Sequence, residues 1–170
     1  MGAGKTTFYD AHLKEAFPIL VPPIPHQRDA MLREHRSFAV EDLTVDTELL
    51  ENARHLGYTT KVVFISTEDP KLSVGRILVR MSHGGQSVPL DTIPDSYKDA
   101  MKSLAEARKY SDDLLIYDNT ANGKGHRLVA RFLAGELVRT THTAPEWLKD
   151  IFGRELRGES KQQERSGRGR

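Results

Sequence analysis

Residues 2–7 read Gly-Ala-Gly-Lys-Thr-Thr, and the reading of this hexapeptide decides the fold expected for the rest of the chain. Gly4, Lys5 and Thr6 fill the last three positions of the phosphate-binding pattern G-x-x-x-x-G-K-[ST]. The first Gly of that pattern would fall two residues upstream of Met1, and so would the buried strand that such a loop ordinarily follows. The chemistry asks for small residues at Gly2, Ala3 and Gly4, because backbone N–H groups must close around phosphate oxygens. It asks for Lys5 to reach the β- and γ-phosphates and for the Thr6 hydroxyl, followed by Thr7, to hold Mg²⁺. A helix beginning near Lys5 adds its positive N-terminal end. The competing reading of the same residues is a Gly-rich start that simply runs into a helix.

Working outward, Thr6 to Phe17 is predicted as a helix with Phe8, Ala11, Leu13 and Ala16 near one face, closed by Pro18. Ile19-Leu20-Val21 is a short strand, and the Pro residues at 22, 23 and 25 argue against regular hydrogen-bonded structure just beyond it. A short helix follows from Arg28 to Arg36, then a strand from Ser37 to Glu41. Asp46 caps a helix that Gly57 ends. Thr60 to Ser66 contains Val62-Val63-Phe64-Ile65, a continuous apolar run that suits a strand buried on both faces of a parallel sheet. Asp69-Pro70 opens a helix to about Met81, stopped at Gly84-Gly85. Val88-Pro89 leads to another helix near Thr92 to Lys109, then a strand from Leu114 to Tyr117 ending in Asp118-Asn119. Arg127 to Phe132 and Glu136 to Thr140 form a hairpin around Ala134-Gly135, and Pro145 to Phe152 is a last amphipathic helix. The alternation of strands and helices predicts an α/β domain over residues 1–156, and residues 157–170, which hold no apolar side chain, read as a disordered basic tail.

Composition narrows the function classes. The net charge of +1 gives no strong pull toward nucleic acid or membrane, so neither is an expected partner. With no Cys, disulfides and thiolate metal sites are excluded. A mean hydropathy of −0.53 and the lack of any apolar run near 18 residues argue against a membrane span. The residues after Lys5 lack the apolar stretch of a secretory signal, so a cytoplasmic location is expected. The seven His show neither H-x-x-x-H nor H-E-x-x-H spacing, and His83 beside Gly84-Gly85 is the one of interest.

In an open parallel sheet, ligands collect beyond the C-terminal ends of the strands. Glu41, Ser66 and Asp118-Asn119 should therefore share one end of the domain. Arg76 and Arg80, four apart on the helix after Ser66, share a helix face. Phosphoryl transfer needs fixed positive charge on the moving group, which Arg supplies in planar, bidentate form. The same spacing also fits two solvated surface residues.

Taken in order, "GAGKTT", "REHRSFAVE", "VVFISTEDPKLSVGRILVRMSHGGQSVP", "LLIYDN" and "PEWL" resemble the zeta-toxin-like P-loop kinases, relatives of the zeta and PezT toxins. The resemblance spans about residues 2 to 152, and Ser73 to Pro89 is its most specific segment. It implies a P-loop NTPase-like three-layer sandwich with a mostly parallel sheet, its first strand upstream of Met1, ending in a β-hairpin and a short helix. It implies Mg²⁺ with ATP or GTP, phosphorylation of a small molecule such as a UDP-amino sugar, and an antitoxin protein as a possible partner. By position, Gly2, Ala3, Gly4, Lys5, Thr6 and Thr7 correspond to the nucleotide site, Thr6 to the Mg²⁺ ligand and Glu41 to a substrate-facing residue. Lys5, Arg76 and Arg80 correspond to the catalytic cations.

The chain also departs from that family. No carboxylate follows Val21 before Arg28, where the family carries its catalytic Asp, and Asp29 sits in a different context. Pro94-Asp95-Ser96 replaces a basic helix start before Tyr97, and Gln86 stands where His is usual. The alternative to a kinase is therefore a non-catalytic remnant of one, a nucleotide- or protein-binding module. A third reading, contact of the basic tail (Arg165, Arg168, Arg170) with nucleic acid, is offset by Glu159 and Glu164 in the same segment.

Overall fold

The computed structural model describes residues 2–22, 24–84, 89–121 and 125–167. Pro23, Gly85, Gln86, Val88, Arg168 and Arg170 lie outside the described residues, as do the side chains of Arg80, Leu90 and residues 159–167. Along the chain run α1 (Lys5–His12), β1 (Leu20–Val21), α2 (Pro25–Arg33), β2 (Ala39–Val40), α3 (Thr47–His55) and β3 (Lys61–Ser66). They are followed by α4 (Pro70–Ser82), α5 (Ile93–Tyr110), β4 (Asp113–Asp118), β5 (Arg127–Leu133), β6 (Glu136–Thr140) and α6 (Glu146–Gly167). The fold is mixed α/β. Among the described residues no helix is long and apolar enough to cross a membrane.

Two sheets carry it. β1 and β2 pair in parallel, with Leu20 opposite Ala39 and Val21 opposite Val40. The second sheet has the order β3-β4-β5-β6. Only its β3–β4 pair is parallel, in register from Lys61↔Asp113 to Ser66↔Asp118. β4–β5 and β5–β6 are antiparallel. The predicted hairpin is present, with Ala134 and Gly135 both at positive φ (47° and 84°) in its turn.

The main core lies on one face of the second sheet. Leu114 and Ile116 alternate with half-buried neighbours along β4, as a strand with one packed face requires. They meet Leu104 and Ala107 of α5, Val129, Ala130 and Phe132 of β5, and Leu148 and Phe152 of α6. Beyond Phe152, whose backbone kinks (φ −119°, ψ 24°), α6 continues to Gly167, past the Arg157 at which the sequence reads as the start of a tail. Phe64 of β3 joins the same core. Phe8 of α1 packs against Tyr117, 4.7 Å between ring centroids. Tyr117 follows Ile116 on the strand, so α1 covers the opposite face of the sheet from α5.

Other boundaries also differ from expectation: β2 is limited to Ala39–Val40 of the predicted Ser37–Glu41, and α2 ends at Arg33 rather than Arg36. α1 ends at His12 rather than Phe17, and the Tyr9 hydroxyl donates to the Phe17 carbonyl (2.6 Å), drawing the chain back onto the helix. α2 begins at Pro25, inside the Pro-rich stretch expected to be irregular. A ring at the first helical position costs no hydrogen bond and presets φ, so Pro25 starts this helix instead of preventing one.

Candidate functional site

The segment Gly2–Lys5 is held at the C-terminal ends of the strands by contacts from distant parts of the chain. Gly2 and Gly4 both take positive φ (75° and 91°). A Cβ on Gly2 would lie 2.7 Å from the Ser73 carbonyl oxygen. One on Gly4 would lie 2.6 Å from Asn119 Nδ2 and 2.9 Å from His126 Nε2. Only glycine fits both the torsion and the space at position 4. Asn119 Nδ2 donates to the Ala3 carbonyl (2.8 Å), and His126 Nε2 lies 3.1 Å from the Gly4 carbonyl. A carbonyl only accepts, so that contact places the imidazole proton on Nε2. The His126 ring also stands edge-on to Phe8, with centroids 5.2 Å apart. The first helical bond of α1 runs from Phe8 N to Gly4 O (3.0 Å). The amides of Lys5, Thr6 and Thr7 therefore precede the helical ladder and have no acceptor within it.

Glu41, just past β2, meets this segment directly. The Thr6 hydroxyl lies 2.9 and 3.0 Å from the two Glu41 carboxylate oxygens. The residue expected to hold Mg²⁺ and the residue expected to face substrate are thus neighbours, a juxtaposition that nothing in their 35-residue separation announces. Burial holds the Lys5 ammonium below its ordinary value of 10.5, against the opposing pull of Glu41 and Asp42. Between the lowered folded value and 10.5 the unfolded chain binds more protons than the folded one, so stability rises with pH in that window. Lys5→Met is expected to flatten this rise, read as urea melts of the two proteins from about pH 8 to about pH 10.5. Parallel curves would show that Lys5 is not buried as a charge.

Asp42 is anchored from behind by Arg28 of α2, a residue the sequence does not single out. Arg28 is 5% exposed and reaches two carboxylates, Asp42 (2.7 Å) and Asp46 (2.6 Å). Asp46 also caps α3 as expected, accepting from the Leu49 amide (2.9 Å). One buried guanidinium therefore ties α2, the loop after β2 and the start of α3 together.

Arg76 lies on the same side as Lys5. Its guanidinium donates to the Asn119 carbonyl (2.7 Å), the residue that also holds Ala3. Arg80 is four residues along α4, and its side chain lies outside the described residues. Gly2, Gly4, Lys5, Thr6, Thr7, Glu41, Asp42, Arg76 and Asn119 together line an open cleft of about 930 Å³, closed on a further side by Leu20 and Val21 of the first sheet and by Pro22 just after them. Of the expected residues whose side chains are described, Ala3 is not among its walls. His83 is exposed and bonds back to its own helix at the Val79 carbonyl (2.7 Å). His126, which has no motif spacing, is the histidine at the loop.

Among the described residues no group of three or more His, Asp or Glu forms a metal cluster. The pair Thr6 Oγ and Glu41 carboxylate nevertheless fits Mg²⁺, which takes one or two protein oxygens and fills its octahedron with phosphate and water. Comparisons with family models, curated proteins and solved structures each find no match for this chain.

Proposed function

We propose that the cleft at Gly2–Thr7 binds the phosphates of ATP or GTP with Mg²⁺, and that the chain is a phosphotransferase of the P-loop NTPase type. The observation that carries this reading is the convergence of four groups on one cleft: the glycine-bracketed turn into α1, the Lys5 ammonium, the Thr6–Glu41 oxygen pair and the Arg76 guanidinium. Each is what a polyphosphate needs. Amides ahead of the helical ladder donate hydrogen bonds to phosphate oxygens. Lys5 supplies charge that burial keeps from being screened. Arg76, fixed against the Asn119 carbonyl, supplies a rigid cation for the transferring group. Thr6 and Glu41 are the side chains that would hold Mg²⁺, whose contribution is to neutralise charge between the β- and γ-phosphates.

The resemblance to zeta-toxin-like kinases supplies the rest of the proposal: a three-layer P-loop domain, a UDP-amino sugar or similar hydroxyl acceptor and an antitoxin partner. A second reading, nucleotide binding with little or no turnover, is favoured by a specific observation. Both carboxylates in the cleft are already engaged, Glu41 by Thr6 and Asp42 by Arg28 and the Leu43 amide.

Calorimetric titration with Mg-ATP tests binding. Charge-assisted hydrogen bonds are worth about 1.5–3 kcal/mol, so Lys5→Ala is expected to weaken affinity roughly 10- to 150-fold. Equal affinity of the two proteins, or no heat with either, removes the nucleotide site.

A further inference from the structure

The described walls of the cleft are of two chemical kinds. The polar side chains already have partners or places in the nucleotide reading: Lys5 and Arg76 against phosphate, Thr6 and Glu41 around Mg²⁺, Asp42 against Arg28 and Asn119 against the Ala3 carbonyl. The rest of the wall is Leu20, Val21, Pro22, Leu43 and Ile77. None of these has a side-chain donor or acceptor. Their main chains add little. Pro22 has no N–H, and its carbonyl accepts from the Ile24 amide (2.7 Å). The Leu43 amide donates to the Asp42 carboxylate (2.7 Å). Val21 and Ile77 are buried, while Leu20 and Leu43 are large apolar side chains left exposed. Exposed apolar residues scattered singly are ordinary, but two on the wall of one cleft are a contact surface.

This apolar wall adjoins the γ end of the phosphate site. Mg²⁺ bridges the β- and γ-phosphates, so the Thr6–Glu41 pair marks that end. β1 pairs with β2 just ahead of Glu41, with Val21 opposite Val40, and Leu43 follows Glu41 by two residues. The nucleoside is attached at the other end of the phosphate chain. The molecule that meets the wall is therefore the acceptor and not the base.

We propose that the acceptor is an uncharged hydrophobic alcohol, its hydroxyl beside Glu41 and its aliphatic or aryl body on Leu20, Pro22 and Leu43. The inference rests on the nucleotide reading and gives that site a substrate class other than the sugar nucleotide implied by the resemblance. With Asp42 paired to Arg28, no carboxylate is left over for a cationic acceptor. A sugar ring would press several hydroxyls against groups that cannot bond them, and each would give up water without replacement. In the transfer, the alcohol oxygen bonds to the γ-phosphorus as the bond from that phosphorus to the β–γ bridging oxygen breaks. The electron pair leaves on the nucleoside diphosphate. The hydroxyl proton passes to water, because Glu41 and Asp42 are engaged.

The test uses the full chain, with and without saturating Mg-ADP, which fills the nucleotide site without turning over. Saturation-transfer NMR follows a titration with 1-octanol, and N-acetylglucosamine is the polar control alcohol. With Mg-ADP present, 1-octanol is expected to bind and N-acetylglucosamine at the same concentration is not. Leu20→Asn is expected to weaken 1-octanol at least about fivefold through lost apolar contact, and Leu20→Met to restore it. The control Leu56→Asn changes an exposed leucine outside the cleft and is expected to bind like the parent protein. Calorimetry with Mg-ATP reports the nucleotide site separately. Mg-ATP binding that depends on Lys5, with no binding of 1-octanol, overturns this inference alone. No heat with Mg-ATP removes the nucleotide reading and this inference with it. Displacement of 1-octanol by Mg-ADP would assign the wall to the base and overturn the proposal, as would equal binding of 1-octanol by Leu20→Asn or equal binding of N-acetylglucosamine.

Discussion

Arg28→Ala is expected to destabilise the protein by about 3 kcal/mol, the lower end of the 3–5 kcal/mol typical when one partner is removed from a buried ion pair. The guanidinium side chain is 6% exposed, while Asp42 and Asp46 are 31% and 38% exposed. Water can therefore reach the two carboxylates once their partner is gone, which is why the lower figure applies. At roughly 2–4 °C per kcal/mol for a protein of this size, the melting temperature should fall by about 6–12 °C. Arg28 Nε is buried without a hydrogen-bond partner, so the stabilisation rests on the two terminal nitrogens. The comparison is Arg36→Ala, which removes a 3.5 Å contact to Glu34 between side chains that are both more than half exposed, and is expected to cost under about 1 kcal/mol. If the two variants melt together, Arg28 does not tie α2 to α3. The effect should also reach the cleft, because Asp42 adjoins Glu41 and lines the same walls.

How much of this was legible in the sequence depends on how local each cause is. The continuous apolar run Val62–Ile65 and the Asp46 cap are local signals, and β3 and the start of α3 lie where those signals put them. Gly4 is legible for the same reason, since a left-handed residue before Lys-Thr is a requirement of the turn itself. Pro25 is local too, but the same ring starts a helix or blocks one depending on which side of the boundary it falls. The direction of β5 against β4 has no local cause, because side-chain periodicity is the same in parallel and antiparallel pairs. The groups that hold the loop were beyond reach altogether. Asn119 and His126 lie 116 and 122 residues from the carbonyls they bind, and only the folded chain brings them together. Arg28 was hidden by its type, since charged residues read as surface until their partners are known.

Incubated with ATP, Mg²⁺ and UDP-N-acetylglucosamine, the protein is expected to phosphorylate the sugar at about 10⁻² s⁻¹ or slower, against roughly 1–100 s⁻¹ for kinases in general. The deficit follows from the base. A positioned general base contributes typically about 10²–10⁴-fold, and it must reach the attacking hydroxyl with a lone pair to spare. Between Val21 and Arg28 there is no carboxylate, and Asp29 is exposed on α2. Glu41 faces the Thr6 hydroxyl with both oxygens, and Asp42 accepts from Arg28 and from the Leu43 amide. Either side chain would have to leave its present partner to take a proton, and a misplaced catalytic group alone can cost about 10²-fold. Mass detection of the phosphorylated sugar over hours of incubation measures the rate. Turnover in the ordinary kinase range would refute the expectation and would make one of these two carboxylates the base. Glu41→Gln and Asp42→Asn then separate them: loss of about 10²-fold or more in one variant alone identifies which carboxylate takes the proton.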